Sequence, residues 1–320
     1  PVSIARTMKD IIASGSTHLS MEVSSHALDQ RRVEGIDFDF AAFTNLSHDH
    51  LDYHDSLEAY AEAKKKLFDG LSAEAVAIVN FDDSYGPYMV QDTKATVQSF
   101  GFENDHAEVS CTIISETTDG TTFQVGDFTL HTPLLGRFNA YNAAQTYLIS
   151  RAMGYDQEKI KKALAEAKGA EGRMEQVSIS QDQHDGPLVL VDYAHTPDAL
   201  ENVLDTLQQL KRDGQPLHVV FGAGGDRDKT KRPEMARIAE HYADRITVTS
   251  DNPRTEPPVQ IIKDITDGFS PQATCNKYID RGKAIRSAIK QAGPDEIVVI
   301  AGKGHETYQE IDGKRIDFDD

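Results

Sequence analysis

Four short apolar runs in the second half of the chain constrain its fold most. LVLVDYAH from Leu188, LHVVFGAGG from Leu217, RITVTSDNP from Arg245 and EIVVIAGKG from Glu296 each end in a polar or glycine-rich loop, with helical stretches between them. That alternation predicts a mostly parallel sheet with crossover helices covering its faces. Ligands of such sheets bind beyond the carboxyl ends of the strands. The residues with chemical potential follow the runs in all four cases.

The first half has a different texture. Thr17–Ser24 and Phe38–Phe43 are strand-like apolar runs ending in Ser-Ser-His and Thr44-Asn45. Leu57, Tyr60, Ala61, Lys64 and Phe68 fall at helical spacing, with Ser56 as N-cap and Gly70 as stop. Ala75–Val79 predicts a buried strand. Val109–Ile114 and Thr121–Leu130 predict a hairpin around Asp119-Gly120. Residues 139–166 are helical in composition. A boundary near Lys168–Glu171 gives two domains, 1–170 and 171–320.

A formal net charge of -19 argues against a nucleic-acid partner, whose phosphates require a basic face. Small anions remain compatible, because a few Arg residues and backbone amides can hold them. No run approaches the roughly 18 to 20 apolar residues of a membrane span. The two cysteines, Cys111 and Cys275, have no metal or redox spacing, so a reducing cytoplasm is the expected setting.

The densest chemical segment runs from Asn45 to His54 and places three His and two Asp within seven residues. Carboxylates there suit a hard cation, imidazoles suit a transition metal, and either type can simply cap the next helix. Glu22, in MEVSSH, ends the preceding strand-like run. Lys64 is either one of a solvated lysine run or a residue reaching the same place. Gln30 and Arg32 read locally as a surface loop, and Asn139 and Asn142 as helix caps. Asp192 and His195 could form a metal or general-base pair. Asp251-Asn252-Pro253-Arg254 reads as a turn, and GAGGDRDK as a flexible loop.

Taken together, MEVSSHALDQRR, N-x-x-x-D-H-x-D-x-H followed by Y-x-x-A-K, LLGRFNAYNAA, DYAHTP, DNPR and AGKGHE resemble the Mur ligase family of ATP-dependent amino-acid ligases in cell-wall synthesis. The resemblance covers nearly the whole chain. It implies an α/β protein: a partial central ATPase-type domain followed by a Rossmann-like C-terminal domain. Glu22, His50 and a carbamylated Lys64 would hold Mg²⁺, with Lys65 and Lys66 depressing the Lys64 pKa by like-charge repulsion. Ser24, Gln30 and Arg32 would contact a UDP-N-acetylmuramoyl dipeptide. Asn139, Asn142, Arg173, Asp192 and His195 would contact ATP. Arg227, Asp251, Asn252, Arg254, Gly302 and Glu306 would contact meso-diaminopimelate. Arg254 would grip its distal carboxylate and Asn252 would accept from its distal ammonium.

The implied activity is ATP-dependent amide formation through an acyl phosphate, by a monomer in the cytoplasm, with no membrane insertion. His50, Lys64 and Arg173 would be the catalytic residues. A lysine-adding or folylpolyglutamate-type relative is the alternative within the architecture, and a non-catalytic binding protein the alternative outside it. No G-x-x-x-x-G-K-[ST] phosphate loop is present: Asp228 precedes Lys229, and Gly304 follows Lys303. The resemblance places that loop and a UDP-binding domain upstream of Pro1, so the chain is expected to be a fragment.

Overall fold

The computed structural model describes residues 2–46, 54–177 and 186–320. The chain divides into two compact units. The first comprises Pro1–Ser115, Thr121–Pro133 and Arg137–Glu166; the second comprises Glu116–Gly120, Leu134–Gly136 and Ala167–Asp320.

The first unit begins with α1 (Val2–Ala13), α2 (Ser25–Asp29), β1 (Phe40–Phe43), α3 (Leu57–Asp69), β2 (Val76–Asn80) and α4 (Gly86–Val90). It continues with β3 (Thr96–Gly101), β4 (Val109–Thr117), β5 (Gly120–Val125), β6 (Phe128–Thr132), α5 (Arg137–Ala152) and α6 (Gln157–Ala165). The strands form one sheet in sequential order. β1, β2, β3 and β4 pair in parallel, and β5 with β6 antiparallel.

α3 forms where the periodicity placed it. Ser56 Oγ accepts the Ala59 amide, and Gly70 closes the last turn. Two expectations change. Thr17–Ser24 is irregular, because a strand exists only through a neighbour's ladder and no described strand pairs with it. Thr121–Leu130 is two strands, because Gly126, at φ 58°, turns the chain and sets Val125 opposite Phe128.

The second unit contains β7 (Glu175–Val177), β8 (Leu188–Asp192), α7 (Pro197–Leu210), β9 (Leu217–Phe221), α8 (Lys231–Tyr242), β10 (Arg245–Thr249) and α9 (Pro258–Thr266). β11 (Asn276–Tyr278), α10 (Arg281–Gln291), β12 (Ile297–Ala301) and the hairpin β13 (Tyr308–Ile311) and β14 (Lys314–Asp317) complete it. The sheet order is β11-β10-β9-β12-β8-β7, parallel except for β7.

Both faces of β8, β9 and β12 are largely apolar, which is why those runs do not alternate, whereas β10 alternates Ile246 and Val248 with Thr247 and Thr249. Leu190, Val219, Val248 and Val299 pack with α7, α8 and α9. Val189, Val191, Val220 and Ile300 pack with Ala284, Ile285 and Ala288 of α10. The sheet therefore carries helices on both sides, as the Rossmann-like reading requires. No helix among the described residues is long and apolar enough to cross a membrane.

Candidate functional site

In the second unit, the loops after β8, β9, β10 and β12 converge. The loop after β10 carries Asp251, Asn252 and Arg254. Arg254 has a left-handed backbone, at φ 50°. The cost of that conformation is offset by backbone pairing: its amide donates to Glu310 O at 2.9 Å, and its carbonyl accepts from Asp312 N at 2.7 Å. Its Nη1 donates to Gly225 O at 2.7 Å, and its Nε lies 3.8 Å from Glu310 Oε2. Nη2 has no partner among the described residues, so part of the guanidinium fork remains available to a carboxylate.

Asn252 is bonded on both sides of its amide. Its Oδ1 accepts the Glu310 amide at 2.9 Å and Lys303 Nζ at 3.3 Å. Its Nδ2 donates to Glu306 Oε2 at 2.8 Å. The amide oxygen is thus engaged within the protein by two donors. Glu306 Oε2 also accepts from Lys303 Nζ at 3.0 Å, while Oε1 accepts from none of the described residues. Burial pushes its pKa up, but the Lys303 and Asn252 hydrogen bonds and the charges of Lys303 and Arg254 leave it below the usual range.

Gly302 has φ 126°, and a Cβ there would meet Asp251 Oδ2 at 2.7 Å. Only glycine lets the chain pass this carboxylate. Asp251 Oδ1 accepts the Asn252 amide, which starts the turn.

Arg227 is exposed, its Nη1 donating to Asp226 O at 3.2 Å. The loop bearing it is clamped rather than loose. Fully buried Arg232 donates to Gly224 O, Glu256 and Asp264. Glu256 accepts the Asp226 amide, and Asp226 accepts from Thr255. The Arg232 hydrogen bond, the largest contribution, and those of Lys229 and the Asp226 amide hold the Glu256 carboxyl at about 2. The sequence reading missed Arg232, Glu256 and Lys303. A lysine wedged between two glycines at the end of an apolar strand was the signal for the last of these.

Asp192 and His195 do not form a pair. Asp192 Oδ2 accepts the Met174 amide and Oδ1 the Ala194 amide, both at 2.8 Å. Burial raises its pKa against those bonds and the Arg173 charge. His195 Nδ1 donates to Tyr193 O at 2.9 Å, and its carbonyl accepts Lys231 Nζ at 2.7 Å. The exposed Arg173 guanidinium lies 5.3 Å from the Tyr193 ring centroid, and the His305 ring lies 5.1 Å from it. Gly172, at φ 65°, packs so closely on Gly304-His305 that a Cβ would fall 2.2 Å from the His305 nitrogen.

In the first unit, Ser24 caps α2 by accepting the Ala27 amide at 3.2 Å. Gln30 and Arg32 are exposed and bonded to each other. Glu22 is exposed, and His50 lies outside the described residues. Buried His54 links the MEVSSH segment to α3: its Nε2 lies 2.9 Å from Ser25 Oγ, and its ring stacks on Tyr60 at 5.2 Å. Lys64 Nζ is 5.2 Å from the other partner in that stack, the Tyr60 ring.

The expected repulsion by the next two lysines is offset by carboxylates. Lys65 bonds Asp69 and Asp92 at 2.5 and 2.7 Å, and Lys66 bonds Asp29 at 2.9 Å. Burial lowers the Lys65 pKa, yet those two partners raise it overall. Asn139 and Asn142 lie inside α5 rather than at its cap, with Asn142 Nδ2 donating to Asn139 Oδ1 at 3.3 Å. The same turn is fixed by Tyr141, whose hydroxyl donates to Asp82 at 2.7 Å. No group of three His, Cys, Asp or Glu that could hold a metal occurs among the described residues.

Fold and loop chemistry define a two-unit α/β protein with charged and polar residues gathered at the carboxyl ends of a parallel sheet. The Mur ligase middle-domain profile matches residues 1–149, and the Mur ligase glutamate-ligase-domain profile matches residues 172–304. The chain belongs to the Mur ligase family.

Within the family it is similar to enzymes named UDP-N-acetylmuramoyl-L-alanyl-D-glutamate–2,6-diaminopimelate ligase. That of Halalkalibacterium halodurans is 45% identical over 99% of this chain, and that of Neisseria meningitidis serogroup B is 44% identical over 100%. The chain spans 65% of the length of each. A solved structure of an enzyme with the same name superposes over 99% of this chain and 65% of its own, with TM-score 0.75 and 39% identity.

Proposed function

We propose that this chain forms the central and C-terminal parts of a cytoplasmic, monomeric ATP-dependent ligase that joins meso-diaminopimelate to UDP-N-acetylmuramoyl-L-alanyl-D-glutamate. The observation that carries this reading is Arg254. It stands in a strained conformation fixed by β13, with guanidinium donors still available beside the acceptor Glu306. One anchored cation and one anchored anion suit a substrate that carries both an extra carboxylate and an ammonium. A lysine-type substrate has no distal carboxylate for Arg254, and a half-buried guanidinium that loses this partner binds it less well.

In this reading, ATP transfers its terminal phosphoryl group to the D-glutamate side-chain carboxylate and leaves ADP. The diaminopimelate amine attacks the acyl carbon, loses a proton and expels phosphate, which leaves the amide. The second unit binds and orients the amine. Glu306 accepts from an ammonium, Arg254 and Arg227 pair with carboxylates, and Asp251 with Gly302 shapes the floor. Arg173, stacked on Tyr193, supplies positive charge for nucleotide phosphate. Asp192 and His195 hold the loop that carries Tyr193, and Asn139 and Asn142 present amides for the base.

In the first unit, Ser24, Gln30 and Arg32 serve the UDP-sugar dipeptide. Mg²⁺ neutralises phosphate charge when bound. Of the residues expected to hold it, Glu22 would offer a carboxylate oxygen, and a carbamate on Lys64 would offer a second.

The test is product formation by the intact gene product, given ATP, the UDP-sugar dipeptide and either meso-diaminopimelate or L-lysine. Amide and ADP formed with diaminopimelate alone support the reading. Lysine used equally well, or nucleotide bound without amide formation, refutes it.

A further inference from the structure

The least expected group in the second unit is the lysine after β12. Lys303 has 0% of its surface exposed, and glycines with positive φ flank it, Gly302 at 126° and Gly304 at 52°. Such burial of an ammonium requires partners for its protons. Nζ donates to Glu306 Oε2 at 3.0 Å and to Asn252 Oδ1 at 3.3 Å, and it lies 5.4 Å from the Tyr308 ring centroid.

The pattern of acceptors is selective. Asn252 Nδ2 also donates to Glu306 Oε2, at 2.8 Å. Both internal donors therefore converge on one carboxylate oxygen. Glu306 Oε1 receives no hydrogen bond from the described residues, and its side chain keeps 20% of its surface exposed. Meanwhile Lys303 and the Glu310 amide fill Asn252 Oδ1. The amide orientation of Asn252 is thus fixed, and within the Glu306 carboxylate it is Oε1 that accepts from none of the described residues.

Resting on the ligase reading above, we propose that Lys303 is a positioning residue. It draws Glu306 Oε2 inward with Asn252 and so presents Oε1 to the ammonium of the incoming amino acid. Lys303 touches no substrate and acts through Glu306. It also balances the Glu306 charge before substrate arrives, so the carboxylate is ionised and oriented in advance. A structural lysine would stabilise the loop without discriminating between the two oxygens.

The test is steady-state kinetics of the intact gene product carrying Lys303→Met, Glu306→Gln or both, with thermal unfolding of each variant. Lys303→Met is expected to raise KM for diaminopimelate at least about tenfold, with kcat within about threefold of wild type. In the double variant, KM is expected to match Glu306→Gln alone, because Lys303 has no other route to the substrate. Lys303→Gln, still a donor, is expected to recover part of the affinity; it also replaces Lys303→Met should that variant not fold.

A ligand-free readout is the carboxyl titration of Glu306 by carbon NMR, which is expected to move upward when Lys303 is removed. A folded Lys303 variant with unchanged KM, losses that multiply in the double variant, or an unmoved Glu306 titration would overturn the proposal. Wild-type protein that does not use diaminopimelate refutes the ligase reading and this inference with it. Diaminopimelate turnover that is indifferent to Lys303 refutes only the inference.

Discussion

His218 on β9 gives the second unit a calculable acid sensitivity. Its ring is fully buried, Nε2 lies 2.9 Å from Thr247 Oγ1, and Nδ1 has no hydrogen-bond partner. Glu296 Oε1 is 3.6 Å away but is already engaged by Arg245 at 2.9 Å. Burial first, and the Arg245 charge second, push the His218 pKa down from 6.5 to about 4. The unfolded chain therefore takes up a proton that the folded unit refuses between those values. Stability is complete above pH 6.5 and is lost as pH falls toward 4. At ~1.4 kcal/mol per pH unit, the gap corresponds to a loss of up to about 3 kcal/mol.

Urea unfolding from pH 8 to 4 measures this loss. Carboxylates also titrate at the acid end, so His218→Gln supplies the reference. The wild-type curve should fall away from the variant's below pH 6.5, by about 3 kcal/mol at most. Parallel curves would refute the claim that this imidazole is held neutral.

Other substitutions probe the supports of the site. Gly172→Ala combines a left-handed φ with a Cβ 2.2 Å from the His305 nitrogen, and should destabilise by at least about 2 kcal/mol in urea unfolding. Arg232→Met removes the buried guanidinium shared by Glu256 and Asp264, which keep Lys229 and Gln260 as partners; a loss of about 2 kcal/mol is expected, and diaminopimelate affinity should fall with it in calorimetry. Tyr141→Phe removes one of the donors to Asp82. It should cost about 1 to 2 kcal/mol in chemical denaturation and raise KM for ATP more than it changes kcat.

Much of this was legible in the sequence because the physics is local. The apolar runs fixed the parallel sheet of the second unit, and Ser56 with Gly70 bounded α3. The resemblance motifs located the convergent loops. What was not legible depends on partners distant in sequence. Thr17–Ser24 has strand-like texture, but pairing is a property of two segments. The bond that Asn252 receives from the Glu310 amide, 58 positions away, could not be read from the tetrapeptide. Lys65 and Lys66 looked like repelling neighbours of Lys64 until Asp92 and Asp29 were placed beside them. Lys303 looked like a failed phosphate-loop lysine, and its burial became visible only with the sheet assembled around it.

The most direct test of the central claim is calorimetric titration of meso-diaminopimelate and L-lysine into the protein, with Arg254→Ala alongside. The anchored guanidinium requires diaminopimelate to bind at least about tenfold more tightly than lysine, and the variant to lose that preference. Equal binding of the two amino acids, or a preference that survives Arg254→Ala, would contradict it.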